Sequence, residues 1–227
     1  MNYLVVVAHP DDEVLGAGAT ICKFREEGHN VAVVTLANHA SARANISAIL
    51  SDDQSKAMEI MGVNKCYPAD FPNIKMNTVP HLEIVQFIEH CIEDFKAEAI
   101  ITHHPSDTNN DHVVTSYAVQ AASRLFQRKE GLPDLKELLF MEVLSSTEWC
   151  FDSSSNRFTP NYYVQIGKTG LKLKLNALAA YHGVMRNYPH PRSIEALEGL
   201  AAYRGAQAGC NYAEAFECVF CVNRGRR

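Results

Sequence analysis

The sequence predicts an α/β fold in which a Rossmann-like, mostly parallel sheet has helices on both faces, within a single domain that spans residues 1–227. The first observation is that short apolar runs alternate with longer segments of helical periodicity along the chain. The second is that these runs are almost continuously apolar, as is typical of strands covered on both faces. The third is that helices separate successive strands, an order that favours parallel pairing through right-handed crossovers.

The first two thirds of the chain alternate regularly between the two kinds of element. Near-continuous apolar runs predict strands at residues 3–8, 31–36 and 99–102. Apolar residues three or four positions apart predict helices at residues 14–27, 52–61, 79–96 and 113–127. Gly28 and Gly62 stand at the ends of the first two helices, where glycine commonly terminates a helix.

The last third of the chain is less regular. Strands are predicted at residues 138–144, 162–166 and 215–222, and helices at residues 171–181 and 193–203. The polar stretch at residues 153–156 is interpreted as a surface turn and not as an interdomain linker. We therefore expect one domain throughout.

The composition excludes some classes of partner. A hydrophobic fraction of 47%, a charged fraction of 21% and a net charge of −5 are ordinary for a globular protein and give no footprint for nucleic acid. No apolar stretch reaches the roughly 18 residues that a membrane-spanning helix needs. The apolar N-terminal run lacks a basic first region and stops at His9, so we interpret it as a strand and expect a cytoplasmic protein.

The seven cysteines agree with a reducing compartment, because an odd number cannot pair completely within one chain. Cys218 and Cys221 have a C-x-x-C spacing, which is typical of a redox pair or of half a zinc site. No second cysteine pair lies nearby in the sequence. A strand with two buried thiols is therefore the favoured interpretation.

Polar residues follow two of the predicted strands, at the point where each strand ends. Residues 9–13 read His-Pro-Asp-Asp-Glu, and residues 103–112 contain three histidines and two aspartates. Ligands of open α/β sheets bind beyond the carboxyl ends of the strands, so both loops are expected to converge on one ion. The sequence therefore predicts a metal site at this edge.

The spacing suggests which residues would hold the metal. His9, Asp12 and His112 can supply the three protein ligands of a catalytic zinc ion, which leaves one position for water. Two histidines and one carboxylate also suit Fe²⁺, so Fe²⁺ is an alternative to zinc at the same site. Asp11 remains beside the reacting water, where it can act as general base and then as general acid.

Other interpretations of these residues are available. The acidic residues at 11–13 could cap the following helix, and His103, His104 and His112 could be loop histidines without a ligand role. A receiver-like magnesium site would leave the histidines unused. A nucleotide-binding turn is excluded because Gly16 and Gly18 lie too far into the helix.

The same residues resemble a known family. Residues 8–13, Ala-His-Pro-Asp-Asp-Glu, are similar to the signature of the PIG-L/LmbE-like deacetylases, which are zinc-dependent N-acetylglucosaminyl hydrolases. The second run resembles the family motif H-P-x-D-x-H-P-D-H at His104, Pro105, Asp107, Asp111 and His112. Residues 212–216, Tyr-Ala-Glu-Ala-Phe, resemble the closing segment of the family.

The resemblance implies a deacetylase that acts on an N-acetylated amino sugar or sugar conjugate. It implies His9, Asp12 and His112 as zinc ligands and Asp11 as the catalytic base, in agreement with the spacing. A non-catalytic, metal-containing sugar-binding protein and a metal-dependent amidase with a non-sugar substrate are the alternatives. The identity of the sugar stays open, and a homo-oligomer is compatible with the sequence.

The sequence departs from the family pattern at one position. Where many members have His-Pro-Asp-His, this chain has Asn109-Asn110-Asp111-His112. The missing histidine polarises the scissile carbonyl in the family and is oriented by the aspartate two residues later. Asn109 could donate a hydrogen bond to a developing oxyanion, an interaction worth about 3–4 kcal/mol elsewhere, or it could only shape the turn. Asn109 and Asp111 are therefore kept as candidate catalytic residues.

Two arginines are candidates for substrate binding. Arg43 and Arg192 could each hold a phosphate or hydroxyl group of the substrate, with a surface role as the alternative for either one. Trp149 and Phe151 could stack on a sugar, but we expect both in the core.

Overall fold

The structure is a computed structural model that describes residues 1–37, 47–151 and 157–223. Its strands are β1 (Asn2–Val7), β2 (Asn30–Thr35), β3 (Lys65–Pro68), β4 (Ala99–His103), β5 (Glu137–Met141), β6 (Tyr162–Gln165) and β7 (Ala213–Cys221). Its α-helices are α1 (Asp12–Glu26), α2 (Ser47–Met61), α3 (His81–Phe95), α4 (Asn110–Ala122), α5 (Gly167–Ala180) and α6 (Ile194–Gln207).

The strands form one sheet in the order β3-β2-β1-β4-β5-β7-β6. β1 to β5 pair in parallel, whereas β7 runs antiparallel to both β5 and β6. β2 and β3 lie on one side of β1, whereas β4 and β5 lie on its other side. The direction in which strands are added to the sheet therefore reverses between β1 and β4. Ligands of such sheets bind at the carboxyl ends of the strands where the order reverses. The prediction of a mostly parallel α/β sheet is confirmed.

The sheet has a hydrophobic core on each face. Tyr3, Val5 and Val7 of β1 pack in one core with residues of α1, α2, α5 and α6. Residues 4, 6 and 8 alternate with them and pack in the other core with α3 and α4. This burial on both faces explains why the β1 segment has no polar residue after Asn2, as expected for a central strand of a parallel sheet.

Some element boundaries differ from the prediction. β3 was not predicted, because this edge strand is largely exposed and its sequence Lys-Cys-Tyr-Pro has no apolar run. The helix predicted at 113–127 is α4, which begins three residues earlier, followed by a 3₁₀ helix at Ser123–Gln127. Cys218 is half-buried and Cys221 is exposed, so the interpretation of two buried thiols is wrong for Cys221. No helix in the described ranges is both long and apolar enough to cross a membrane.

A buried ion pair fixes α1 against the C-terminal part of the chain. Lys174 Nζ on α5 lies 2.6 Å from Glu214 Oε1 on β7 and donates to the carbonyl oxygen of Leu15 at 2.7 Å. The Glu214 carboxylate accepts from the backbone N–H groups of Ala19 and Thr20 at 3.2 and 2.7 Å. These contacts hold the middle of α1, the helix whose first turn carries Asp12.

Candidate active site

The polar residues predicted from the two loops meet at the carboxyl ends of β1 and β4. His9 and Asp12 lie in the turn after β1 and in the first turn of α1. Asp111 and His112 lie in the first turn of α4, which follows β4 after a short loop. The structure therefore brings together the two segments that the sequence analysis combined.

Three side chains could hold one metal ion. His9, Asp12 and His112 each offer a ligand atom, and these atoms all lie within 4.8 Å of one another. Asp12 Oδ2 is 3.3 Å from His9 Nδ1 and 3.1 Å from His112 Nε2. Asp12 and His112 are buried, whereas the His9 side chain is 14% exposed. The group thus has one side that is open toward the solvent.

A carboxylate lies behind each of the two imidazoles. His9 Nε2 is 3.1 Å from Asp111 Oδ2, and His112 Nδ1 is 3.2 Å from Asp107 Oδ2. Asp111 also accepts from the backbone N–H of Met76 at 3.1 Å, which fixes its carboxylate. Metal-ligating histidines usually have such a partner on the ring nitrogen that does not face the metal. The pattern leaves His9 Nδ1 and His112 Nε2 facing Asp12.

Asp107 is itself held by the segment that follows β5. Thr147 Oγ1 donates to Asp107 Oδ2 at 2.7 Å, and the Ser146 hydroxyl donates to Asp107 Oδ1. The backbone N–H of Asn109 donates to the same oxygen, Oδ1, at 2.8 Å. Burial favours a raised pKa for Asp107, but these bonds and the His112 ring lower it to about 2. Asp107 is therefore ionised and orients His112.

His103 belongs to the same cluster, although it was not among the ligands predicted from the sequence. It is the last residue of β4, it is fully buried, and its ring stacks on that of His112 with centroids 3.9 Å apart. Its Nε2 accepts from the backbone N–H of Ala8 at 2.9 Å, and its Nδ1 has no hydrogen-bond partner among the described residues. Burial lowers its pKa to about 3, so the ring is neutral and supports His112 by packing.

The backbone of Asp11 has a left-handed conformation, with φ of 97°. Its N–H donates to Glu13 Oε2 at 3.1 Å, and the Tyr181 hydroxyl donates to Glu13 Oε1 at 2.6 Å. The carboxylate of Asp11 accepts from Arg192 Nη1 at 3.0 Å and does not cap α1. Burial raises the pKa of Asp11 to about 7, against the opposing effect of Arg192.

The site opens into a cleft of about 310 Å³, which Asp11, Asp12, Ser145, His182 and Arg192 help to line. Arg192 also donates from Nε to Ser145 Oγ at 2.8 Å, so its guanidinium bridges the cleft wall and Asp11. A purely surface role for Arg192 is therefore wrong. The other candidate for substrate binding, at position 43, lies outside the described residues.

Asn109 also lines this cleft and caps α4. Its side-chain oxygen accepts from the backbone N–H of Asp111 at 2.9 Å, so this oxygen is engaged at the helix end.

The Thr108 hydroxyl donates to the backbone oxygen of Trp149 at 3.2 Å. Trp149 and Phe151 are 51% and 71% exposed, so the expectation of a core role for both is wrong.

The carboxylates around His9 and His112 produce a negative potential at the two rings. Burial alone would lower the pKa of His9 and His112, but the adjacent carboxylates raise these values to about 9 and about 10. Burial would likewise raise the pKa of Asp12, yet the imidazoles around it hold that value well below its usual range. Such a potential attracts a cation.

Comparisons with known proteins identify a family for this chain. The PIG-L family model, described as GlcNAc-PI de-N-acetylase, matches residues 4–123. An uncharacterised deacetylase of Escherichia coli (strain K12), YaiS, is 26% identical over 129 residues, which are 53% of this chain and 67% of the relative.

Two solved structures share the fold. N,N'-diacetylchitobiose deacetylase from Pyrococcus horikoshii superimposes with a TM-score of 0.76 at 19% identity, over 96% of this chain and 83% of the other. The hydratase GalB from Pseudomonas putida KT2440, which acts on 4-carboxy-2-hydroxymuconate, superimposes with a TM-score of 0.80 at 19% identity, over 100% and 99%. At this identity the two structures show a common fold. Since the family model covers more than half of the 227 residues, the chain belongs to the PIG-L family of deacetylases.

Proposed function

We propose that this chain is a metal-dependent hydrolase that removes the N-acetyl group of an amino sugar or sugar conjugate and releases acetate and a free amine. The observation that carries this proposal is that the potential ligand atoms of His9, Asp12 and His112 lie within 4.8 Å of one another, beside a further carboxylate, Asp11. Membership of a deacetylase family supports the reaction. The odd number of cysteines supports a cytoplasmic location.

The residues at this site fit a zinc ion. Two imidazoles and one carboxylate are a usual donor set for catalytic zinc, and Fe²⁺ is the second choice. Asp111 and Asp107 lie on the far nitrogens of His9 and His112, where partners of metal-ligating histidines are usually found. A zinc ion bound here would supply Lewis acidity toward the amide carbonyl and toward water. In this proposal Asp111 is a positioning residue that acts through His9.

Asp11 is the proposed general base and general acid. Hydrolysis requires one proton to be taken from the attacking water and one to be delivered to the amine nitrogen as the C–N bond breaks. Asp11 lines the cleft beside Asp12, and Arg192 and the Glu13 contact fix its carboxylate and its backbone. It can therefore accept the proton of water and return it to the amine.

The remaining candidates would act on binding and polarisation. Arg192 is positioned to contact a hydroxyl or phosphate group of the substrate, and Arg43 stays a second candidate for the same role. Asn109 has its side-chain oxygen engaged at the α4 terminus, which favours a role in shaping the loop. Its amide nitrogen remains a candidate donor to the oxyanion.

Acetate release tests the reaction. The purified protein would be incubated with zinc or with Fe²⁺ and with N-acetylglucosamine, N,N'-diacetylchitobiose, UDP-N-acetylglucosamine and N-acetylglucosaminyl phosphatidylinositol. We expect release from at least one substrate, abolished by a chelator and restored by metal. Sugar binding without acetate release would indicate a sugar-binding protein. Metal-dependent hydration of an unsaturated dicarboxylate, with no acetate from any sugar, would indicate a hydratase.

Elemental analysis tests the metal site independently of turnover. We expect about one equivalent of metal in the wild type, a sharp fall in His112→Ala, and no change in His90→Ala, an exposed histidine on α3. Asp11→Asn should retain the metal and lose about 10²–10⁴ in rate, as is typical when a general base is removed. Equal metal content in wild type and in variants of all three ligands would refute the assignment.

A further inference from the structure

The cleft contains a histidine that neither family motif includes. His182 lies two residues beyond the end of α5 and lines the cleft together with Asp11, Asp12 and Arg192. Its Nδ1 is 2.8 Å from both carboxylate oxygens of Asp53 on α2. The side chain of His182 is 72% exposed, whereas that of Asp53 is 1% exposed. The carboxylate therefore lies behind the ring, on the protein side.

The position of His182 is fixed by two helices. Its backbone N–H donates to Asp53 Oδ2 at 2.9 Å, in addition to the contact of the ring. The preceding residue, Tyr181, is fully buried and donates from its hydroxyl to Glu13 in the first turn of α1. The segment is thus held between α1 and α2, beside Asp11.

The buried carboxylate also determines which ring nitrogen of His182 donates to it. Burial favours a raised pKa for Asp53, but hydrogen bonds from the backbone and ring of His182 lower it below its usual value. An ionised carboxylate only accepts hydrogen bonds, so Nδ1 carries a proton toward Asp53. Nε2 is the ring nitrogen that does not contact Asp53, and a ring that is protonated on both nitrogens can donate from Nε2 into the cleft.

What the chain lacks at its second motif is one of the motif histidines. The family motif places a histidine at the position of Asn109, and here the Asn109 oxygen caps α4 instead. Asp53 lies on α2 and His182 follows α5, and both helices pack on the opposite face of the sheet from α4. They provide the same combination of groups at the same cleft.

We propose that His182, oriented by Asp53, donates a hydrogen bond from Nε2 to the carbonyl oxygen of the scissile amide as negative charge develops on it. This inference rests on the proposed deacetylase function and assigns to His182 the part that the motif histidine plays elsewhere in the family. Asp53 does not reach the substrate and is a positioning residue. No covalent bond to His182 is formed at any stage.

Steady-state kinetics of the zinc-loaded protein on N,N'-diacetylchitobiose, or on another substrate of the panel that is turned over, test the assignment. We expect His182→Ala to lower kcat by about 10²–10³, as removal of an oxyanion donor does, with KM and metal content little changed. His182→Gln, which keeps a donor, should recover part of the loss. Asp53→Asn should lower kcat to a lesser extent, and the control His90→Ala should leave it unchanged.

A second variant tests whether the two positions are interchangeable. Asn109→His in the His182→Ala background restores an imidazole at the motif position, next to α4. We expect this double variant to recover at least tenfold in kcat over His182→Ala alone. Recovery would show that the loss came from a missing imidazole and not from a disturbed fold. A double variant no more active than His182→Ala would contradict the shared role.

The possible failures are distinguishable. No acetate release by the wild type on any substrate would refute the proposed function, whereas an active wild type with equally active His182→Ala would overturn only this inference. Loss of metal in His182→Ala would also overturn it, because His182 would then act through the metal site. Independently of turnover, added acetate should shift the ¹⁵N resonance of His182 Nε2 in the zinc-loaded protein, and an unchanged resonance would exclude the contact.

Discussion

Replacing Lys174 by methionine tests how α1 is held in place. Lys174→Met keeps the apolar stem of the side chain and removes the ammonium group that lies 2.6 Å from Glu214 Oε1. The carboxylate of Glu214 would stay buried with only two backbone N–H donors, from Ala19 and Thr20. The carbonyl oxygen of Leu15 would lose the hydrogen bond from Nζ.

The expected loss of stability is large. Removing one partner of a buried ion pair costs about 3–5 kcal/mol, because the other charge stays buried without compensation. Both side chains here are less than a tenth exposed, at 8% and 5%. An unfolding entropy of roughly 2.1 cal/mol/K per residue over a chain of this length converts the loss to a fall in Tm of about 6–10 °C.

Urea unfolding and thermal melting would measure the effect. The matched control is Lys129→Met, which removes an ammonium 2.7 Å from Glu93 where the two side chains are 50% and 39% exposed. An exposed pair of this kind contributes little to stability, because water and salt screen the two charges. Replacing both buried partners, as Lys174→Met with Glu214→Leu, should be less damaging than Lys174→Met alone. Equal losses in Lys174→Met and Lys129→Met would refute the reasoning.

Three further predictions concern other parts of the fold. A Cβ at Gly205 would lie 2.7 Å from backbone atoms of Asn211, so Gly205→Ala should lower the unfolding free energy by about 1–3 kcal/mol. Gly199→Ala in the same helix meets nothing within 4 Å among the described residues and should raise it by up to about 1 kcal/mol; urea unfolding compares the two. The pKa of Asp53 is lowered in the folded state, so the stability it contributes is present above the ordinary carboxyl pKa and is lost as pH falls through the folded value. The difference in unfolding free energy between wild type and Asp53→Asn should therefore shrink from pH 7 to pH 3, and a constant difference would contradict this. Tyr181→Phe removes the hydroxyl that donates to a buried carboxyl of α1 and should cost about 1–3 kcal/mol, visible as a lower Tm.

The parallel core could be predicted from the sequence because central strands of such a sheet are buried on both faces. The runs at 3–8, 31–36 and 99–102 are almost purely apolar for that reason. The edge strand β3 could not be predicted in this way, since an edge strand with one exposed face needs no apolar run. The antiparallel orientation of β7 could not be predicted from its own sequence either, because it is determined by pairing with β5 and β6.

The candidate site could be predicted where its residues follow directly after strands. A set of two histidines and one aspartate is not expected from helix capping alone, and the segments that contain His9, Asp12 and His112 follow neighbouring strands of the sheet. The supporting residues could not be found in this way. His182 pairs with Asp53 across 129 positions of sequence, and such pairs arise only when helices from distant segments pack together.

The residues that line the cleft come from two parts of the chain, one inside and one outside the range that matches the family model. This division indicates where substrate choice is determined. The proposed ligands and Asp11 all lie within residues 4–123, the range that matches the family model. Ser145, His182 and Arg192, which also line the cleft, lie beyond it. The reaction itself requires the proposed ligands, the base and His182 to keep their geometry. The other lining residues of this part can vary without changing them, so substrate selection is expected to reside mainly in the segments around β5, α5 and α6.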